Sequence, residues 1–142
     1  MGRNRKEVFI MRRKDREITS YDKMLEIMQS CDCCRIGLKD KDSVYILPLN
    51  FGYEEKSGKL TLYFHGASEG KKIDLIKQQN TASFEMDTKH QLVEADVACS
   101  YSYLYQSVMG KGKISLVDDP EEKINGLECV MLHYSNNNTW KF

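Results

Sequence analysis

The sequence lacks an excess of charge of either sign. Its 142 residues include 21 lysines and arginines against 21 aspartates and glutamates, so the formal net charge is zero. Nucleic-acid modules need surplus positive charge for phosphate contacts, and this balance argues against such a partner. Apolar runs as long as a membrane span are missing, and so is the apolar segment of a secretory signal. These absences favour a cytoplasmic protein without nucleic-acid or membrane partners.

Motifs of hydrolases and metalloenzymes are also missing. The sequence has no GxSxG, HExxH or P-loop, and its paired carboxylates fall in predicted turns and helix caps. Five cysteines are an odd count, which without a secretory signal indicates reduced thiols. Three of them cluster at Cys31, Cys33 and Cys34, without a second CxxC pair or a nearby histidine. We therefore predict small buried side chains there and no metal site.

The length fits one domain with a core of its own. We divide the chain into a basic amino-terminal leader, residues 1–17, and a single domain, residues 18–142. Acidic residues interrupt the basic patches of the leader. We therefore favour a solvated segment that packs on a partner subunit through Val8, Phe9 and Ile10, although a nucleic-acid arm is the alternative.

Three stretches have the periodicity of helices. Apolar residues of the first recur at i, i+3, i+4 and i+7: Tyr21, Met24, Leu25 and Met28. Thr19 and Asp22 before and within it resemble a capping box, and the helix is predicted to end near Ser30. The second helix covers residues 71–79, and the third begins at Asp119 and Pro120. Its predicted apolar face consists of Ile124, Leu127 and Met131, and residues 135–139 are predicted to form a loop.

Six stretches have the composition of strands: residues 35–38, 44–53, 60–65, 81–86, 92–101 and 105–117. The second is almost continuously apolar, which predicts cover on both faces, and Pro48 within it predicts a bulge or an edge. Polar turns are expected at residues 54–58 and 87–89. Six strands with helices at the ends predict a mainly β fold, a small antiparallel barrel or sandwich with a crevice.

The stretch with the most chemical content is residues 60–79, a strand, a glycine-bracketed turn and a helix. Gly66 and Gly70 let the backbone approach a ligand, and the first N–H groups of the helix favour an anion. Lys71 and Lys72 add positive charge suited to phosphate. The stretch alone is equally compatible with an ordinary strand-to-helix junction that carries two solvated lysines.

His65 is the histidine placed to take part in chemistry, because it ends the strand beside these glycines. It is either a hydrogen-bond or proton donor, or a structural residue. Since no other group of the chain has the spacing of a catalytic set, any hard chemistry is expected to belong to a bound cofactor.

Four motifs in order resemble one family: MRRKDREI at 11–18, PLNFGYE at 48–54, YFHGASEGKKIDLI at 63–76 and YQSVMGKGKI at 105–114. They are similar to the pyridoxamine 5'-phosphate oxidase-like flavin-binding split barrels, in particular the nitroimidazole-resistance (Nim-type) branch. The resemblance covers about residues 11–134. It implies a six-stranded antiparallel split barrel with flanking helices, a homodimer, and FMN in a groove between subunits. The sequence departs from the family in one respect, since family members usually continue beyond the position of Phe142 into a final strand and a GK-containing tail.

The resemblance further implies the site residues. Four residues of one strand are implied to border the flavin ring, Leu47, Pro48, Leu49 and Asn50, and His65 is implied to lie near the flavin. Gly66 is implied to bind the cofactor as part of the segment that ends at the two lysines. Lys71 and Lys72 are implied to hold the phosphate, and Ser107 to contribute from across the groove. Family members also bind haem or a deazaflavin, so the fold alone leaves the cofactor open.

The function implied is an FMN-dependent oxidoreductase that reduces a small aromatic or nitro-aromatic compound such as a 5-nitroimidazole, with NAD(P)H as a candidate electron donor. His65 is the candidate acid, and flavin chemistry asks little else of a protein. A non-catalytic flavin or haem carrier or sensor on the same barrel is the alternative. A protein-interaction module with an empty groove is the third hypothesis.

Overall fold

The computed structural model describes residues 14–135. The α-helices of this part are α1 (Tyr21–Ser30), α2 (Lys71–Gln78) and α3 (Pro120–Tyr134). Its strands are β1 (Cys34–Asp40), β2 (Ser43–Leu49), β3 (Phe51–Lys56), β4 (Lys59–Phe64), β5 (Thr81–Val93) and β6 (Ser102–Lys113). Short 3₁₀ helices lie at Lys14–Arg16 and Ala98–Ser100. None of the described helices is long and apolar enough to cross a membrane.

The strands form two antiparallel sheets. The larger has four strands in the order β2-β1-β5-β6, and the smaller pairs β3 with β4. Within residues 14–135 the two sheets do not close into one barrel. The predicted mainly β fold of six antiparallel strands is confirmed.

The core lies on the inner face of the larger sheet, where β1 and β5 meet α1, α2 and β4. Its fully buried side chains include Ile27, Met28, Ile36, Leu38, Phe51 and Met86. Cys31 and Cys34 are buried with them, as predicted, and burial raises the pKa of each thiol to about 12. Cys33 is only half-buried. Residues 14–135 contain no cluster of His, Cys, Asp or Glu suited to a metal ion.

The predicted second strand is two strands in the structure. β2 ends at Leu49. After Asn50 the chain leaves the larger sheet and continues as β3, which pairs with β4. The predicted cover on both faces of residues 44–53 is also wrong, because Val44 and Ile46 are 65% and 66% exposed. They lie on the outer face of an edge strand, and Pro48 occupies that edge as predicted.

The far end of the larger sheet also differs from the prediction. The expected turn at residues 87–89 and the expected strand over 92–101 are both wrong. β5 runs through to Val93 with an irregularity between Thr88 and Gln91, where Lys89 has a φ of 55°. Lys89 lies in a β-bulge, and β5 stays paired with β6 on both sides of it. The polar residues near Lys89 therefore disturb the strand without ending it. The true connection is residues 94–101.

Two helix predictions need correction. Ser20, not Thr19, caps α1, since its hydroxyl accepts a hydrogen bond from Lys23 N at 3.3 Å. Asp119 caps α3 as predicted, with its carboxylate 3.1 Å from Glu122 N. The buried face of α3 is formed by Gly126 and Val130.

The predicted apolar face of α3 is therefore wrong in part, because Ile124 and Met131 are 45% and 37% exposed. The small Gly126 lets the helix approach β4 closely and sets which side faces inward.

Most of the predicted leader, residues 1–13, lies outside the described residues. The same holds for residues 136–142, which include most of the predicted terminal loop.

Arg35 joins two carboxylates on the outer face of the larger sheet. Its Nη1 lies 3.1 Å from Glu85 Oε1 and 3.0 Å from Asp87 Oδ2. Burial, followed by the neighbouring Asp87, raises the pKa of Glu85 to about 6. The hydrogen bond with Glu85, and then the charge of Arg35, lower the pKa of Asp87. The guanidinium therefore offsets repulsion between two adjacent acids.

Arg35→Met is expected to destabilise the fold by about 1 kcal/mol at pH 7.5. The effect is small because Arg35 and its two carboxylate partners are partly exposed, and solvent screens their charges. Without Arg35 the pKa of both carboxyls rises in the folded state. A raised folded-state pKa reduces stability as pH increases through it, so the loss should be full well above pH 6 and should shrink as pH falls through about 6, the pKa of Glu85. Urea unfolding of both proteins between pH 4.5 and 8 measures this. Lys39→Met, on the same face of β1, is the control, and an equal loss at every pH would contradict the expectation.

Candidate functional site

A cleft of about 490 Å³ opens between α2 and α3. One wall consists of the end of β4, the loop after it and the inner side of α2. The opposite wall consists of residues 113–118 and α3, which packs across β3 and β4. The cleft therefore lies where the strand–turn–helix stretch singled out in the sequence meets the carboxyl-terminal helix.

The polar end of the cleft is formed by His65, Gly66 and Lys72. The ammonium of Lys72 lies against the backbone of Gly66, so closely that a Cβ at position 66 would overlap Nζ. Gly70 is the N-cap of α2 with a φ of 129° and has no side chain to cap the first-turn N–H groups. Lys72 and Ile73, both in the first turn of α2, line the cleft, so a positive charge lies there close to a helix amino terminus, an arrangement suited to an anion.

Lys71 has different surroundings from its neighbour. Its Nζ lies 2.8 Å from Asp40 Oδ2 and 5.0 Å from the centre of the Tyr45 ring. The hydrogen bond to Asp40, with the charge of that carboxylate, raises the pKa of Lys71. Lys71 does not line the cleft. The two lysines of the sequence pair therefore point to different places.

The remainder of the cleft combines apolar side chains with four charged residues of the opposite wall: Lys113, Asp118, Glu122 and Lys123. Side chains from β2, α2, the segment after β6 and α3 line it: Leu49, Ile73, Ile76, Ile114, Leu127 and Val130. A concave and mainly apolar wall that carries a limited number of polar groups is the usual form of a small-molecule site. The shape and chemistry fit a flat aromatic ligand that carries an anionic group.

Some of the site residues predicted from the sequence line the cleft in the structure, and the others lie elsewhere. Leu49, His65, Gly66 and Lys72 line the cleft together. The others do not line it: Leu47, Pro48, Asn50, Lys71 and Ser107. Pro48 on β2 and Ser107 on β6 are separated within one chain by β1 and β5. A role for Ser107 across a subunit groove stays a prediction.

Sequence reasoning missed the wall contributed by α3. Gly126 lies against Tyr63, and a Cβ at position 126 would be 2.8 Å from Cδ1 of that ring. An isolated glycine within a helical pattern signals close packing, so this contact had a sequence signal. Leu127 was assigned to the apolar face but not to a ligand site.

The carboxyl end of α3 is anchored beside the start of β1 and β3. The Tyr134 hydroxyl donates to Asp32 O at 2.6 Å and accepts from Phe51 N at 3.2 Å. His133 Nε2 lies 2.7 Å from Cys31 O, and its ring centre is 4.3 Å from that of Phe51. These contacts fix one wall of the cleft against the core.

The pyridoxamine 5'-phosphate oxidase family model matches residues 20–141. The chain belongs to this family. A crystal structure of a protein assigned to 5-nitroimidazole antibiotic resistance, from Bacteroides thetaiotaomicron VPI-5482, is 32% identical in sequence with a TM-score of 0.75. That match covers 88% of this chain and 72% of the other. The resemblance to the nitroimidazole-resistance branch is thereby confirmed, while a search of curated protein sequences found no match.

Two further solved structures are similar to this chain in fold alone. The flavocytochrome Anf3 of Azotobacter vinelandii is 19% identical with a TM-score of 0.64, over 82% of this chain and 53% of that one. An FAD and heme binding protein of Mycobacterium smegmatis is 14% identical with a TM-score of 0.63. That match covers 76% of this chain and 51% of the other. This chain therefore spans about half the length of these two proteins.

Proposed function

We propose that this protein is an FMN-dependent oxidoreductase that reduces a small aromatic or nitro-aromatic compound, such as a 5-nitroimidazole. The observation that carries the proposal is the cleft itself. It joins apolar side chains to an end where the Lys72 ammonium, from the first turn of α2, lies against Gly66. Membership of the family and the nitroimidazole-resistance relative support the choice of cofactor and substrate.

The residues present fit FMN. Lys72 and the first N–H groups of α2 would hold the phosphate, and the glycine at position 66 leaves the space that the ammonium requires. Ile76, Leu49 and Leu127 would contact the flat ring. Bound flavin supplies electron transfer, and a reduced nicotinamide is the proposed donor. The chain's own contribution is to bind, to orient and to exclude water.

His65 is exposed at the mouth of the cleft, where either a proton donor or a wall residue is compatible with its position. We expect His65→Gln to retain FMN affinity and to change turnover less than about threefold, because flavin reductions take protons from water readily. Glutamine keeps a hydrogen-bonding group but cannot transfer a proton near neutral pH. Steady-state nitro-reduction across pH measures this. A pH-dependent loss of roughly 10²–10⁴-fold would make His65 a general acid.

The visible spectrum of the purified protein, followed by a steady-state assay with NAD(P)H and a nitroimidazole, tests the proposed function. Flavin bands and substrate-dependent NAD(P)H oxidation are the expected results. Flavin bands without turnover would favour a flavin carrier or sensor, and a Soret band would favour haem. A colourless protein that takes up neither cofactor would favour an interaction module.

We propose in addition that the protein is a homodimer. Large apolar side chains are exposed on the outer face of the larger sheet and on its β5–β6 end: Val44, Ile46, Met109, Leu92, Tyr103 and Tyr105. They lie on both sides of the Arg35 ion pairs, and exposed apolar side chains in this number suit a two-fold interface. Monomer mass in light scattering at micromolar concentration, with FMN present, would count against the dimer.

A further inference from the structure

We propose that the two adjacent lysines at the start of α2 have separate tasks. Lys71 positions the amino terminus of the helix through Asp40, and Lys72 is the one of the two lysines that contacts the phosphate of the ligand. This division rests on the proposed function, because it names which side chain of the anion-binding end meets the cofactor. It goes beyond a lysine pair acting together.

The first observation concerns direction. Lys72 lines the cleft and lies over Gly66, whereas Lys71 reaches the β1–β2 hairpin. There it forms an ion pair with Asp40 and lies over the Tyr45 ring. An ammonium that contacts a carboxylate and an aromatic ring already has partners for its charge, and these contacts orient the side chain away from the cleft. Lys71 is therefore unsuited to follow a ligand in the cleft.

The second observation is that the same part of β1 also holds the other end of α2. The side-chain amide of Gln79, the C-cap residue, makes two hydrogen bonds to the backbone of Lys39. Its Nε2 donates to Lys39 O at 2.9 Å, and its Oε1 accepts from Lys39 N at 3.1 Å. Neighbouring residues of β1, Lys39 and Asp40, thus contact both ends of an eight-residue helix. The ion pair fixes the end of α2 that carries the anion-binding N–H groups.

The partner of Lys71 is itself held in place. Asp40 lies at the end of β1, where its carbonyl accepts a hydrogen bond from Ser43 Oγ at 3.0 Å across the hairpin. The turn contains Lys41 in the left-handed region, with a φ of 56°. A carboxylate on a tight, hydrogen-bonded hairpin is a defined point of attachment for Lys71.

The experiment is an equilibrium titration of cofactor-free protein with FMN and with riboflavin, followed by quenching of flavin fluorescence. The variants are Lys72→Met, Lys71→Met, Asp40→Asn and the Asp40→Asn/Lys71→Met double change. Lys77→Met is the matched control, because it removes the same charge from the exposed last turn of the same helix. Thermal unfolding of each variant reports whether the fold is retained.

We expect Lys72→Met to weaken FMN binding about 10- to 100-fold and to leave riboflavin unchanged, as expected for the loss of one charge-assisted contact to phosphate. Lys71→Met and Asp40→Asn should each weaken FMN only about two- to fivefold, and the double change should be no worse than either single one. Lys77→Met should have no effect beyond the small loss of net charge.

The sign of the Asp40→Asn effect separates the two models. If Lys71 contacts phosphate, removing Asp40 frees the ammonium and removes a negative charge, so FMN affinity should rise. A rise with Asp40→Asn, or equal losses with Lys71→Met and Lys72→Met, would overturn the division of tasks while leaving the proposed function standing. A wild-type protein that binds neither flavin would overturn both.

Discussion

Gly52→Ala is expected to destabilise the protein by about 3 kcal/mol, at the upper end of the cost of overpacking. Gly52 lies on β3 directly beneath α3, and a Cβ at that position would overlap backbone atoms of Cys129 and Val130. A flexible side chain can rotate away from such a methyl group, but the backbone of a helix cannot. The whole of α3 would have to move outward from β3, with loss of the packing around Val130.

Urea unfolding with a linear extrapolation measures the effect. Gly37→Ala is the matched control, since Gly37 is also a strand glycine and a Cβ there would lie 3.6 Å from Val44 Cγ1, an ordinary contact. That control should change the free energy of unfolding by no more than about 0.5 kcal/mol. Equal effects of the two substitutions would contradict the close approach of α3 to β3.

This contact matters for the site because α3 forms one wall of the cleft. If Gly52→Ala displaces the helix without unfolding the protein, Leu127 and Val130 move relative to α2. FMN affinity should then fall even though no residue of the polar end has changed. The stability of the fold and the shape of the candidate site therefore depend on the same glycine.

The local parts of the fold were predictable from the sequence. The strand–turn–helix of β4 and α2 follows from apolar periodicity and from Gly66 and Gly70, signals that lie within one short stretch. The start of α3 was equally predictable, because Asp119 and Pro120 have the chemistry of a helix start whatever surrounds them. The signals for these elements lie within the elements themselves, so they can be read without knowing which strands pair.

Tertiary pairing decided the elements that were predicted wrongly. The apolar run through Asn50 shows no turn residue strong enough to mark a break, yet the chain changes sheets there. The polar residues near Lys89 suggested a turn, but continuous pairing with β6 carries β5 through a bulge. β-strand preferences depend on neighbouring strands, which a single sequence does not reveal.

The candidate site shows the same limit. Gly66 and Lys72 were found because they are close in sequence, but Lys71 was grouped with Lys72 for the same reason. Only the fold brings Asp40 from the β1–β2 hairpin to Lys71 and turns the side chain from the cleft. The contribution of α3 was missed because the helix is distant in sequence from the glycine-bracketed turn.

The location of the cofactor is tested by placing a charge in the apolar wall. Leu127 is half-buried on α3 and lines the cleft. We expect Leu127→Glu to weaken FMN at least about tenfold at pH 7.5, because a ring packed over the carboxylate desolvates it and the carboxylate repels the phosphate. Riboflavin should weaken by a smaller factor, since it lacks the phosphate. Flavin fluorescence titration measures both affinities.

Two matched variants separate charge and place. Leu127→Gln introduces polarity without charge and should cost less than Leu127→Glu. Leu132→Glu puts the same carboxylate on the same helix at a position that is 53% exposed and outside the cleft lining, and should leave FMN affinity unchanged. The loss with Leu127→Glu should diminish towards pH 5, where the pocket favours the protonated glutamate. If Leu127→Glu and Leu132→Glu bind FMN equally well, the flavin lies outside this cleft, and the outer-face residues Pro48 and Ser107 become the better guide to its position.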